Sequence, residues 1–374
     1  MMISVRKIIK IFFIIQMINI AVSLSEAEEP SIPISLKKLG MGGTSVAIID
    51  DRESFFSNPA ILSWVKYPIL LSFDTKIGLN VDSIQFWRKL GNYYDEVPRN
   101  RLTKEQVNNL NKICPLYEIA GPLNIAYIRR YICLGLFEAT NVSFDTLYNT
   151  TDVKSSVRMD AYNNNFGMLA FAYDMKLPPQ LSQLSAGIAI KYAVRTMVDQ
   201  QDISDIQDIS DISNNGIIAD ISRGFELDIG TLYKIYDLCN VGLVIRDLLS
   251  TPFIWNLRLN NEGIDKLSSP NKTKIKPHAI LGVSFTPIWE VPNLLTEPVF
   301  SFELDGFHPR IGVESRLYRS MWLRTGLSND GFALGFGYKR GIMKFDYALV
   351  SKPQGKNSRG FGSMGHFLGV SLYL

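Results

Sequence analysis

Cysteine and histidine are scarce in this chain of 374 residues, with three of each. Cys114, Cys133 and Cys239 are too few and too unevenly spaced for a disulfide scaffold or a zinc site. A Cys114–Cys133 bridge is one arrangement open to an exported chain, and solitary thiols are the preferred one. His278, His308 and His366 stand in separate segments without paired ligand spacing, so each reads as structural. HExxH, nucleophile-elbow and phosphate-loop patterns are missing, and Gly40-x-Gly42 lacks both the third glycine and a preceding strand. The expectation is therefore no enzyme, no metal and no other cofactor. Charge excess is missing too. The formal net charge is +3, and most of it comes from Arg6, Lys7 and Lys10 at the start. No basic field for nucleic acid results.

Beyond the N-terminus there is also no apolar run long enough for a helical membrane span. The one greasy stretch, Ile11–Ile15 and Ile18–Val22, follows the three basic residues and precedes Ser25-Glu26-Ala27. That order is a secretory signal, with cleavage expected after Ala27 and Ser23 as the alternative. Gln16 and Asn19 interrupt the run and argue against a permanent anchor. No Cys precedes Cys114, so a lipoprotein anchor has no acceptor thiol.

What the chain has in quantity is period two. Strand candidates are 67–79, 123–129, 132–139, 156–162, 166–175, 184–194, 225–234, 241–249, 253–259, 278–285, 299–306, 310–317, 322–327, 332–338, 342–350 and 367–374. In 184–194, Ile188, Ile190 and Tyr192 share one face, with Gly187, Ala189, Lys191, Ala193 and Arg195 on the other. Two stretches break the rhythm. Residues 81–118 carry a capping-box spacing at Thr103–Gln106 followed by Val107, Leu110 and Ile113, which predicts a helical loop insert. Residues near 197–222 repeat Asp-Ile steps and predict a flexible acidic loop. A calcium turn there would lack the glycines such repeats use.

Alternation alone fits a soluble sandwich as well as a membrane barrel. Export, the lack of helical spans, and abundant Gly, Tyr and Phe within strands favour the barrel. So does a chain that ends inside a strand, with Leu368, Val370, Leu372 and Leu374 facing one way, because a closed barrel leaves no edge to fray. The fold class expected is all-β, a transmembrane antiparallel barrel of about 14 strands over residues 67–374. Its polar face would line the lumen with Lys191, Arg195, Glu303, Asp305, Arg310, Glu314, Arg316 and Arg324. Buried charges need partners, so these are expected to pair with one another and with an insert more than to line a solute path.

The insert is predicted from residues 28–66. Gly40, Gly42 and Gly43 form a tight turn, and Asn58-Pro59-Ala60 suits a helix start with Asn as N-cap and Pro first. Phe55, Phe56, Ile61, Leu62 and Trp64 would wedge it against the wall. This block and the stretch from Arg310 to Ala348 together resemble the FadL/PorV group of outer-membrane proteins. The ending at Gly369, Leu372 and Leu374 resembles their barrel-assembly signal, with Leu in place of the usual terminal aromatic residue. The resemblance implies an N-terminal hatch inside the lumen and a Gram-negative-type outer membrane. Lipid and the barrel-assembly machinery would be its partners. In FadL relatives it implies passive uptake of hydrophobic compounds such as long-chain fatty acids. In PorV relatives it implies service to protein secretion or surface assembly, with exported proteins as partners.

Overall fold

Alternating sequence becomes strand, sixteen of them among the described residues of the computed structural model. They are β1 (Ile69–Asn80), β2 (Leu116–Arg129), β3 (Ile132–Asn149), β4 (Lys154–Met175), β5 (Gln183–Asp202), β6 (Ala219–Ile235), β7 (Cys239–Ser250), β8 (Phe253–Asn260), β9 (Gly263–Thr273), β10 (His278–Phe285), β11 (Leu295–Asp305), β12 (His308–Leu317), β13 (Met321–Ser328), β14 (Gly331–Arg340), β15 (Met343–Ser351) and β16 (Met364–Tyr373). Also described are residues 35–49, 54–66 and short connections, with isolated positions between 84 and 109. The expected signal peptide, the acidic repeat at 203–217 and Leu374 lie outside the described residues.

Every neighbouring pair among the described strands is antiparallel; β1 pairs with β16, and the β5–β6 pairing closes the ring. β7 pairs with β10, so the ring holds β1–β7 and β10–β16, fourteen strands in all. The hairpin β8–β9 stands outside the ring and joins it through residues 257–259 of β8 against 219–221 of β6. The expected strand number holds, and closure leaves the ring no unpaired edge.

The outward face is apolar. Leu134, Leu136, Phe171, Ile188, Ile190, Phe225, Phe300, Phe302, Ile311, Leu323, Leu334, Phe345, Leu368 and Val370 are exposed all round the ring. In water such a belt would be a severe liability, and in a bilayer it is the solvated surface. β12 and β16, ten residues each, are about long enough to cross as tilted strands. β3, β4 and β5 run to 18, 22 and 20 residues and continue past the belt. The belt ends on their outer face at Glu138, Thr140 and Asn163, where Asn163 Nδ2 donates to Thr140 Oγ1 at 2.6 Å.

That ending explains one difference from expectation. Residues 156–162 and 166–175 form one strand, and Asn163-Asn164-Asn165 is where it leaves the apolar belt. β2 begins seven residues before the expected 123. Gly121-Pro122 reads as a breaker but lies in a bulge, since both neighbours shift register between Ala120 and Asn124 or Ile125. Asn124 Oδ1 then accepts the Glu138 N–H at 2.7 Å. β9 gave no period-two signal because neither of its faces is buried. Residues 197–202 and 219–222, expected within the acidic loop, belong to β5 and β6. In the expected helical insert, positions 105, 106 and 109 are helical.

The two rims differ. One carries the connections 130–131, 176–182, 236–238, 286–294, 318–320 and 341–342; the other carries the short 306–307 and 329–330 but also the longest, 81–115, 203–218, the β8–β9 hairpin and 352–363.

Candidate functional site: the lumen and its N-terminal segment

The inner face is divided into two chemical arcs. From β1 to β5 it presents mainly Ile69, Ala126, Ile128, Cys133, Phe137, Phe166, Met168, Ala170, Ala189 and Ala193, one continuous buried cluster with Phe55, Leu62, Phe253, Ile275 and Tyr373; Lys76, Asn124 and Asn164 are the buried polar residues of β1, β2 and β4 among the described residues. From β5 round to β15 it presents charge: Lys191, Arg195, Glu226, Asp228, Arg246, Asp247, Glu303, Glu314, Arg324 and Asp346 are all buried. Cys133 and Cys239 are free thiols, and Cys114 lies outside the described residues.

Residues 35–49 lie on the charged arc. Ser35 caps the five-residue helix α1 (Leu36–Gly40) by accepting from Lys38 N. Gly42, at φ +66°, ends it. The Gly43 N–H then reaches Lys38 O at 2.8 Å, and the Gly42 N–H reaches Leu39 O at 3.1 Å. This closing motif needs a left-handed residue, which Gly supplies without strain. α1 is too short to show a helical periodicity, and only its glycines mark it in the sequence. Leu36 packs on Ala348 and Phe367, and Lys37 Nζ reaches Glu314 Oε1 at 2.7 Å.

Lys37 begins a buried chain of ions. Glu314 Oε2 accepts from Arg324 Nε at 2.6 Å, Arg324 Nη1 donates to Asp346 Oδ1 at 2.7 Å, and Lys344 Nζ stands 2.8 Å from Asp346 Oδ2. Nearer the other rim, Glu303 Oε2 accepts the backbone N–H groups of Ser45 and Val46 at 2.8 and 2.9 Å. Arg310 Nη1 lies 3.2 Å from Glu303 Oε1, and its Nη2 lies 2.8 Å from Asp305. Thr44 Oγ1 and Ser301 Oγ are 2.6 Å apart. Across the lumen, Lys191 Nζ is 2.6 Å from Asp228 Oδ2, and Arg195 pairs with Glu226. A bulge in β7 turns Asp247 inward at φ 51°, where its N–H donates to Asp228 Oδ1 at 3.0 Å.

Seven of the eight expected lumen charges therefore sit in ion pairs on the inner face. Arg316 differs: it lies at the short-turn rim and pairs with exposed Glu297 at 3.2 Å. Lys37, Lys344 and Asp346, three of the five members of the α1 network, are not among the expected lumen charges. The signal available was the inward phase of Lys344 and Asp346, opposite Phe345 and Tyr347.

The second leg, 54–65, crosses to the apolar arc. Asn58 is fully buried and uses its whole amide. Its Oδ1 accepts from Ala60 N at 3.0 Å, and its Nδ2 donates to Val46 O and Thr231 O, each at 3.0 Å. Asn58 thus caps the 3₁₀ turn Pro59–Trp64, ties the two legs together and bonds both to β6. Gly230 and Gly187 make room: a side chain at either would overlap Asn58 or the Pro59–Ala60 backbone. Phe55, Phe56, Phe137 and Phe166 form a chain of rings with successive centroids 4.3, 4.4 and 5.4 Å apart. Trp64 Nε1 donates to Ser185 Oγ at 2.8 Å.

Asn58→Ala would orphan two buried carbonyls and one N–H. A loss of about 2–4 kcal/mol is expected, read as a lower unfolding midpoint and as earlier protease cleavage within residues 35–66. An unchanged midpoint and protection would mean that Asn58 does not hold the segment.

Gly369 makes room for Leu36 on β16. Leu372, part of the expected assembly signal, is half-buried on the outward-facing phase of that strand. No protein-family model and no curated protein matches this sequence. Solved structures do. The Pseudomonas putida toluene transporter TodX is 10% identical with a TM-score of 0.50, the match covering 92% of this chain and 98% of that one. The deltaS2 mutant of the TodX monoaromatic hydrocarbon channel is 11% identical with a TM-score of 0.54, covering 91% and 99%. The deltaS2S3 mutant gives 11% and 0.51, covering 91% and 98%. At this identity what is shared is the architecture: the chain has the fold of the TodX structures, a closed antiparallel β-barrel.

Proposed function

We propose that the protein is a passive transporter of hydrophobic small molecules across an outer membrane, with residues 35–66 as the hatch of its lumen. The observation that carries this reading is the apolar arc. A barrel interior built only to be stable or water-filled would be polar or sealed by paired charge, as β11–β15 are. The β1–β5 arc instead offers a buried aromatic and aliphatic column, from Tyr373 and Ile69 near the short-turn rim to Phe253 and Ile275 near the long-loop rim. The hatch meets that column through Phe55, Phe56 and Leu62, apolar contacts replaceable by an apolar solute, while Trp64, Ser63 and Leu62 O are held toward the short-turn rim by Ser185, Arg130 and the Tyr131 N–H. On the opposite arc its contacts are ionic and directional, which suits an anchor. Short turns face the periplasm and long loops the exterior in barrels of this type, so the terminus-bearing rim is periplasmic. The matched structures bear the names of a toluene transporter and a monoaromatic hydrocarbon channel, which supports hydrophobic cargo.

Outer-membrane fractionation with heat-dependent gel mobility should place the protein. Uptake of radiolabelled toluene and of a long-chain fatty acid should then fall in a deletion strain and return with the wild-type gene. Equal uptake of both compounds in the two strains would end the transport reading.

A further inference from the structure

Two buried polar atoms at the outer end of the apolar column, Arg195 Nε and Ser222 Oγ, have no protein hydrogen-bond partner among the described residues. Arg195 and Ser222 are directly opposed in the β5–β6 ladder. Their side chains therefore leave the same face at adjacent positions. Both residues are buried, at 4% and 2% exposure. The far end of Arg195 is committed, since Nη2 donates to Glu226 and the guanidinium lies 3.8 Å from the Phe253 ring centroid. Phe253 also covers Gly224, one step along the inner face from Ser222. The next row inward holds Phe166 opposite Ala193, both part of the apolar column. Two donors thus stand at the edge of the apolar column, beside the Phe253 ring contributed by the hairpin.

We propose that Arg195 Nε–H and the Ser222 hydroxyl form a docking point for a neutral oxygen acceptor, a hydroxyl or carbonyl, carried by an otherwise apolar solute. One such oxygen has two lone pairs and can take both donors at once. Charge selects the neutral class. Lys191 and Arg195 are already balanced by Asp228 and Glu226, so a carboxylate would enter as a surplus negative charge beside Glu226. The proposal rests on the transport reading and names a preferred class among the hydrophobic solutes that reading admits.

Equilibrium dialysis of radiolabelled octane, 1-octanol and octanoate against the full-length barrel in amphipol tests it, above a protein-free amphipol blank. The wild type should bind octanol about tenfold more tightly than octane, the equivalent of one well-made hydrogen bond, and octanoate no more tightly than octanol. Ser222→Ala should remove most of the octanol preference and leave octane binding unchanged. Arg195→Lys, which keeps a cation beside Glu226 without the Nε–H, should do the same; heat-dependent mobility reports that each variant is folded. The proposal is overturned if octanol binds no better than octane, if its advantage survives Ser222→Ala in the folded barrel, or if octanoate binds most tightly. Dialysis reads binding without passage, so a failed uptake assay and a failed docking point remain distinguishable.

Discussion

Replacing Gly326 by leucine should push the N-terminal segment off the barrel wall and raise the ion conductance of the barrel about tenfold or more, as an emptied wide lumen would. Gly326 lies on β13 where the segment turns, and any side chain there would overlap Gly42 N, Gly42 Cα and the Met41 carbonyl carbon. These are backbone atoms, so no rotamer change relieves the clash. Overpacking among adaptable side chains costs about 1–3 kcal/mol, and a backbone obstacle should cost more than the segment can return from its remaining contacts. Gly326 pairs normally with Gly312 and Ala333, so the barrel ladder itself should tolerate leucine. Planar-bilayer recordings and limited proteolysis check this together. The variant should conduct and lose protection within 35–66 while the strands stay resistant. A folded variant with wild-type conductance and protection would show that the segment is not seated against β13.

Arg324→Leu carries the second large effect. Arg324 is buried between Glu314 and Asp346 and bonds to both. Lys37 and Lys344 remain to neutralise those carboxylates, but each carboxylate loses a charge-assisted hydrogen bond in a site closed to water. Breaking a buried network from one side costs about 3–5 kcal/mol, and here the loss should fall first on α1, whose Lys37 depends on Glu314. Urea unfolding should show a lower midpoint, and protease should cut after Lys37 or Lys38 sooner. Replacing Lys37, Glu314, Arg324, Asp346 and Lys344 together by apolar residues of similar volume should recover much of the barrel stability, because whole networks exchange for packing more cheaply than single members do. If Arg324→Leu alone is neutral, the network does not anchor the helix.

Much of the architecture was legible without coordinates because it is written in local patterns. Inward and outward phase on β5, β11, β12, β15 and β16 follows from neighbours two residues apart. Asn58-Pro59 announces its cap because N-capping is decided within three residues. The misses were equally local in cause. Asn163-Asn164-Asn165 and Gly121-Pro122 have turn composition, and only their strand partners overrule it. β9 lacks alternation because it has no buried face to encode.

By itself, the sequence determined the all-β class, the membrane-facing phase of most strands and the approximate strand number, since a lipid-facing barrel must repeat one short amphipathic rule fourteen times. Only the tertiary structure decided which charges meet, and that the lumen divides into a charged arc and an apolar one. Lys37 and Glu314, Ser45 and Glu303, and Asn58 and Thr231 are far apart in the chain and become partners only when the ring closes around the segment. Local pattern assigns a residue to a face of its own strand; ring closure and shear decide which other residues share that space.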